Sequence, residues 1–144
     1  MLDIRHIGLE LPAFEVDIEK GALLRFAHAL GETNPIHTDE AVAKAAGFRS
    51  IVAMPTFPVV AGTRDELTWG MVKTLGIEPA KILHGSQRYV WHAPLCAGDR
   101  LRGIKRVVNL FQKKALGFIE TVIEYRDPQG NLVCEDFCTF VVRP

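Results

Sequence analysis

The feature that most constrains this chain is a change of hydrophobic period at Ile82. From there onward, residues 82–92, about 100–113, 116–126 and 131–142 each alternate apolar with polar residues or carry many β-branched and aromatic side chains. That is the pattern of long strands with one buried face. Asp127-Pro128-Gln129-Gly130 separates the last two segments and reads as a tight turn, which predicts a hairpin. Long strands joined this way build an antiparallel sheet.

Ahead of Ile82 the chain is helical. Asp17 can cap a helix running to about Leu30, with Leu23, Phe26, Ala27 and Leu30 at the i, i+3, i+4, i+7 spacing of one buried face and Gly31 as its stop. After a turn at Asn34-Pro35, Thr38 or Asp39 can open a short helix over 40–46 that ends at Gly47. Pro55 keeps 51–57 from being helical. Pro58 suits the first turn of the longest helix, 58–75, closed by Gly76, with Val60, Leu67 and Met71 available for its apolar face. A helical first half and a strand-rich second half give an α+β architecture, one long helix against an antiparallel sheet.

The 144 residues suffice for one core, so a single domain over 1–144 is expected. Lysine plus arginine total 17 and aspartate plus glutamate total 17, so no net charge favours nucleic acid or an anionic membrane as partner. With 48% apolar and 24% charged residues the composition is that of a folded globular protein, which excludes disorder. Residues 1–12 lack a basic cluster followed by an apolar core, and no apolar run approaches the roughly 18 residues a membrane span needs; a cytoplasmic protein is expected. Cys134 and Cys138, four apart on a strand, have Cα atoms about 13 Å apart, too far for a disulfide. No cysteine or histidine spacing suits zinc, and the three cysteines read as small buried apolar residues.

The segment richest in chemistry is Gly31-Glu32-Thr33-Asn34-Pro35-Ile36-His37. A turn at Asn34-Pro35 can aim a carboxylate and an imidazole into one pocket from a loop, and the two together can activate a water and shuttle its proton. The same residue types also serve helix-to-helix loops as capping and solvated groups.

This run resembles the Gly-Asp-x-Asn-Pro-x-His signature of the MaoC-like, (R)-specific enoyl-CoA hydratases and 3-hydroxyacyl dehydratases of the hotdog fold. Phe14-Glu15-Val16 and Phe26-Ala27 ahead of it are similar to the lead-in of the N-terminal dehydratase-domain type. Gly47-Phe48, Ile51-Val52-Ala53-Met54-Pro55-Thr56-Phe57, His84-Gly85-Ser86-Gln87 and His92-Ala93-Pro94-Leu95-Cys96-Ala97-Gly98-Asp99 resemble its later segments. The resemblance implies a central helix wrapped by an antiparallel sheet, paired with a second hotdog in a homodimer or heterodimer. It implies interconversion of trans-2-enoyl and (R)-3-hydroxyacyl thioesters of coenzyme A or acyl-carrier protein, with no metal or other cofactor beyond the carrier on the substrate. Glu32 would be general base and His37 would position the water and move its proton, with Asn34, Met54, Thr56, Phe57 and Arg88 binding substrate. For that role Glu32 should be buried with a raised pKa. A backbone N–H around Met54 to Thr56 would stabilise the thioester enolate.

Two positions depart from the pattern: Glu32 stands for the family's aspartate, one methylene longer, and Met54 stands where proline is common. The first admits a second reading, a non-catalytic substrate-binding subunit of a heterodimeric dehydratase. A third, a hotdog thioesterase, would use Asp65 or Glu66 on the long helix; otherwise these two and Arg64 form its solvated side. On the strand over 82–92, His84, Arg88 and His92 are expected on one face and Gln87 on the other. Arg88, or one of Arg102, Lys105, Arg106, Lys113 and Lys114, could hold carrier phosphates, or these could be ordinary exposed strand charges. Trp69 and Trp91 with Phe57 could line an acyl tunnel or simply fill core, His28 reads as a surface histidine, and Asp99 serves the turn after Gly98.

Overall fold

The computed structural model describes residues 2–62 and 65–144. Strands β1 (Phe14–Asp17), β2 (Ile82–Trp91), β3 (Arg100–Lys113), β4 (Leu116–Arg126) and β5 (Leu132–Val142) form one antiparallel sheet in the order β1-β3-β4-β5-β2. The four long strands fall within a residue of the segments marked by alternation. The β4–β5 turn closes as expected: the Asp127 carboxylate accepts from the backbone N–H groups of Gln129 and Asn131, and Gly130 takes φ +87°. β1 is too short to show periodicity. It follows β3 in register, Phe14 opposite Gly103 and Asp17 opposite Arg100.

That pairing corrects the expected start of the first helix. Asp17 belongs to β1 and holds the Arg100 guanidinium at 2.6 Å, while α1 spans Lys20–Ala29 behind Glu19. Leu23 and Ala27 are buried, but Leu30 is 55% exposed because the helix has already ended. α2 (Glu40–Ala45) is capped by Asp39, whose carboxylate accepts from Ala41 N and Val42 N. The expected long helix appears as α3 (Pro58–Gly62) and α4 (Asp65–Thr74), with Thr63 and Arg64 between them outside the described residues. Leu67 and Met71 face the core as predicted, whereas Val60 is 48% exposed. The readings of Arg64, Asp65 and Glu66, the thioesterase carboxylate included, rest on side chains outside the described set.

The core lies between the helices and the inner sheet face. Ile51, Ala53, Phe57 and Ala61 pack there with Leu101, Ile123, Tyr125 and Cys134, and a second group joins Met71 and Val72 to Val107, Leu110, Ile119 and Phe140. Burying each large aliphatic or aromatic side chain contributes about 1.5–3 kcal/mol. All three cysteines are free and buried. Among the described residues no helix is long and apolar enough to cross a membrane.

β2 departs from simple alternation. Its register against β5 shifts between His84 and Ser86, so that His84 pairs with Phe140 and Gln87 with Cys138. The extra residue is Gly85, where an added Cβ would stand 2.9 Å from the Thr139 carbonyl oxygen. The bulge turns His84 onto the inner face with Gln87, while Arg88 takes the outer one, its guanidinium 4.1 Å from the centroid of the Phe137 ring. The expected sharing of one face by His84 and Arg88 is thereby corrected.

Candidate active site

The loop after α1 is organised by its own polar groups. Gly31 turns the chain at φ +67°, a conformation in which Cβ is penalised. Glu32 folds its carboxylate back: Oε1 accepts from Thr33 N at 2.8 Å and Asn34 N at 2.7 Å. Asn34 then caps a single helical turn, Pro35–His37, its Oδ1 accepting from Ile36 N at 3.2 Å. The local chemistry of Gly, Glu, Asn and Pro therefore sets the direction in which His37 leaves the loop.

His37 points inward and is only 9% exposed. Its Nδ1 lies 2.8 Å from the Val52 carbonyl oxygen, and Val52 N donates to Ile36 O at 3.0 Å, so the two segments clamp each other. A carbonyl only accepts, which places the proton on Nδ1 and leaves the Nε2 lone pair free. The ring is thus presented in the tautomer a proton acceptor requires.

Glu32 behaves differently from expectation. Its carboxyl is held below the usual carboxylate range, first by the Asn34 and Thr33 backbone hydrogen bonds, with nearby His37 adding to the shift. The raised pKa expected of a buried base is not found, because the side chain spends its acceptor capacity on two amides instead of entering an apolar pocket. It is an anion beside an imidazole, better suited to orienting a water than to removing its proton.

The segment leading into α3 lies across from this loop. Ala53 N donates to Leu95 O at 2.7 Å, and Val52 bridges to Cys96. Phe57 N is engaged by Met54 O at 2.9 Å, whereas the amides of Met54 and Thr56 donate to no protein acceptor among the described residues. Phe57 is buried edge-on to Phe26 at 5.5 Å between centroids. Met54 is half-buried and Thr56 exposed. Arg88, on the outer sheet face over Phe137, is held apart from this group.

Two supporting contacts escaped the sequence reading. The Val52 carbonyl fixes the His37 tautomer, and the Trp91 indole N–H donates to Pro55 O at 3.1 Å, tying β2 to the loop. Every peptide carries a carbonyl, so no residue type signals the first; Trp91 reads from sequence only as an aromatic that could line an acyl tunnel or fill core.

A family model described as FAS1-like, dehydratase domain region, matches residues 5–136. A UPF0336 protein of Saccharopolyspora erythraea is 34% identical over 145 residues, covering 99% of this chain and 92% of the relative. The structure of the C-terminally truncated HadBC (3R-hydroxyacyl-ACP dehydratase) complex from Mycobacterium tuberculosis superposes with a TM-score of 0.84 at 21% identity, over 94% of this chain and 96% of that one. The unliganded R-hydratase PhaJ1 from Pseudomonas aeruginosa gives 0.69 at 19% identity, over 96% and 81%.

Proposed function

Since the chain is a hotdog fold that belongs to the MaoC-like family of the FAS1-like dehydratase domain region, we propose that it interconverts trans-2-enoyl and (R)-3-hydroxyacyl thioesters by adding or removing water, with His37 as the proton-transfer group. The observation that carries this reading is the His37 ring, buried, bonded through Nδ1 to the Val52 carbonyl and without a partner at Nε2 among the described residues, near the ionised Glu32. In the hydration direction Glu32 orients a water, Nε2 takes its proton, and the hydroxyl bonds to C3. Charge moves onto the thioester oxygen, where the unspent Met54 or Thr56 N–H is the stabilising donor. The proton on His37 then passes to C2, completing the addition. Acid/base and oxyanion groups suffice for these steps, so the only carrier required is the coenzyme A or acyl-carrier arm of the substrate.

The test is crotonyl-CoA hydration followed by loss of enoyl absorbance. His37→Ala should lower kcat/KM by about 100-fold or more, the usual worth of a positioned acid/base group; an unchanged rate would remove the assignment. A second reading, a substrate-binding subunit of a heterodimer, is favoured by one observation, the turning of the Glu32 carboxylate onto its own loop. If it holds, the chain alone is inactive, activity appears only with a second hotdog subunit carrying an Asp/His pair, and His37→Ala leaves that activity intact.

A further inference from the structure

The inner sheet face carries a second set of polar groups that the loop chemistry does not use. Asp136 on β5 and Lys105 on β3 are 1% and 2% exposed. The β2 bulge brings His84 to this face, its Nε2 2.6 Å from Gln87 Oε1. An amide oxygen only accepts, so the imidazole N–H donates, and the Gln87 amide N–H donates in turn to Asp136 Oδ1. A directional chain of hydrogen bonds therefore leads from exposed His84 to the buried carboxylate. Gly62 of α3 packs over the other carboxylate oxygen: a Cβ there would meet Asp136 Oδ2 at 3.0 Å and the Tyr125 hydroxyl at 3.1 Å.

Among the described residues two donors in this cluster, Lys105 and Tyr89, meet no hydrogen-bond acceptor. The Lys105 ammonium lies 5.0 Å from the centroid of the Phe140 ring, and neither a carboxylate within 4.0 Å nor a hydrogen-bond acceptor meets it among the described residues. Burial pushes its pKa down, with Cys138 and Asp136 nearby opposing the shift. The Tyr89 hydroxyl, on the residue opposite Asp136, is buried with no partner in hydrogen-bonding geometry among the described residues; burial pushes its pKa up, and nearby Gln87 opposes that rise. Buried donors are paired in nearly all native structures, so two without an acceptor call for an explanation.

We propose that Lys105 and Tyr89, backed by Gln87 and Asp136, form a receptor for an oxygen atom on the acyl chain, so that thioesters bearing a hydroxyl or keto group along the chain are preferred to plain alkyl ones. This inference rests on the acyl-thioester reading above. The placement supports it. Trp91 is bonded to Pro55 in the loop before α3, and Trp91, Tyr89 and Gln87 follow one another on the inner face, about 7 Å apart. Gly62 lies four residues beyond Pro58, about 6 Å along the helix. A chain entering beside Met54 to Phe57 and following α3 thus meets the cluster within one or two helical turns. Lysine and aspartate balance in charge, which favours a neutral acceptor over an anion, while a plain alkyl chain would leave both donors unpaired.

The test is calorimetric binding of matched saturated acyl-CoA pairs of equal length, one plain and one carrying a mid-chain hydroxyl or ketone at successive positions, to the protein in its solution assembly. Saturated chains need no turnover. The oxygenated partner should bind at least about 10-fold tighter at one position of the series, and Tyr89→Phe or Lys105→Met should reduce that advantage below about 3-fold with plain-chain affinity unchanged. Tyr89→Phe removes a single oxygen and keeps the test valid if Lys105→Met fails to fold. Equal affinity within every pair, or an advantage surviving both variants, would overturn the receptor while sustaining acyl-thioester binding. No binding of either chain type would sink both.

Discussion

At the residue scale the informative contrast is between His37 and Glu32, neighbours in one loop with opposite fates. His37 is buried and its tautomer is set by a carbonyl 15 residues away, whereas Glu32 is tied to the two amides that follow it. The motif was legible because its residues are contiguous and their turn chemistry is local. The division of labour was not, since it depends on where the carboxylate finds donors. A carboxyl held below its usual range stays ionised well into acid, so Glu32 should not set the acid limb of the pH profile. Glu32→Gln is therefore expected to lower kcat by about 10- to 100-fold at every pH from 5 to 9, with the acid limb unmoved. An acid limb displaced in the pH–rate profile of Glu32→Gln would return Glu32 to the role of base.

At the scale of elements, strand limits were readable to within a residue, while the short β1 and the β2 bulge were not. β1 is held by a specific fit. The Phe14 ring lies over Gly103 of β3, where an added Cβ would stand 2.3 Å from Phe14 Cζ, and meets Tyr125 edge-on at 6.0 Å between centroids. Gly103→Ala should cost about 1–3 kcal/mol through overpacking in urea denaturation, and a Phe14→Leu background should recover part of that loss. If the two substitutions prove additive, the ring does not depend on the glycine. The bulge at Gly85 has a larger consequence, since a one-residue slip exchanges the faces of every side chain beyond it. Without it His84 would leave Gln87, and the hydrogen-bonded chain to Asp136 would not form.

At the scale of the whole molecule, the buried Asp136 links ionisation to folding. Burial raises its pKa to about 6 from an ordinary 3.8, with Gln87 and Lys105 opposing the shift. Between those values the native state holds more protons than the unfolded chain, so this group's contribution to stability falls as pH rises from about 4 to about 6 and is level above. Asp136→Asn keeps the acceptor for Gln87 and removes the buried charge. It should abolish that slope and raise stability at pH 7 by up to about 3 kcal/mol. Melting temperatures of both proteins from pH 4 to 7 check this, and parallel curves would show that Asp136 carries no such penalty. The neutral composition of the chain gave no hint of this, because formal charge counts groups without regard to burial. What the sequence by itself determined is the α+β order, the limits of the long strands, the β4–β5 turn and the Glu32 to His37 loop, all encoded by period and turn chemistry over a few residues. Only the tertiary structure decided that Glu32 faces its own backbone, that Val52 fixes His37, and that Lys105, expected as a carrier-phosphate contact or an exposed strand charge, lies buried near Asp136. Those outcomes are contacts between residues far apart in the chain, chosen by a one-residue bulge and by how closely a glycine lets the helix approach the sheet.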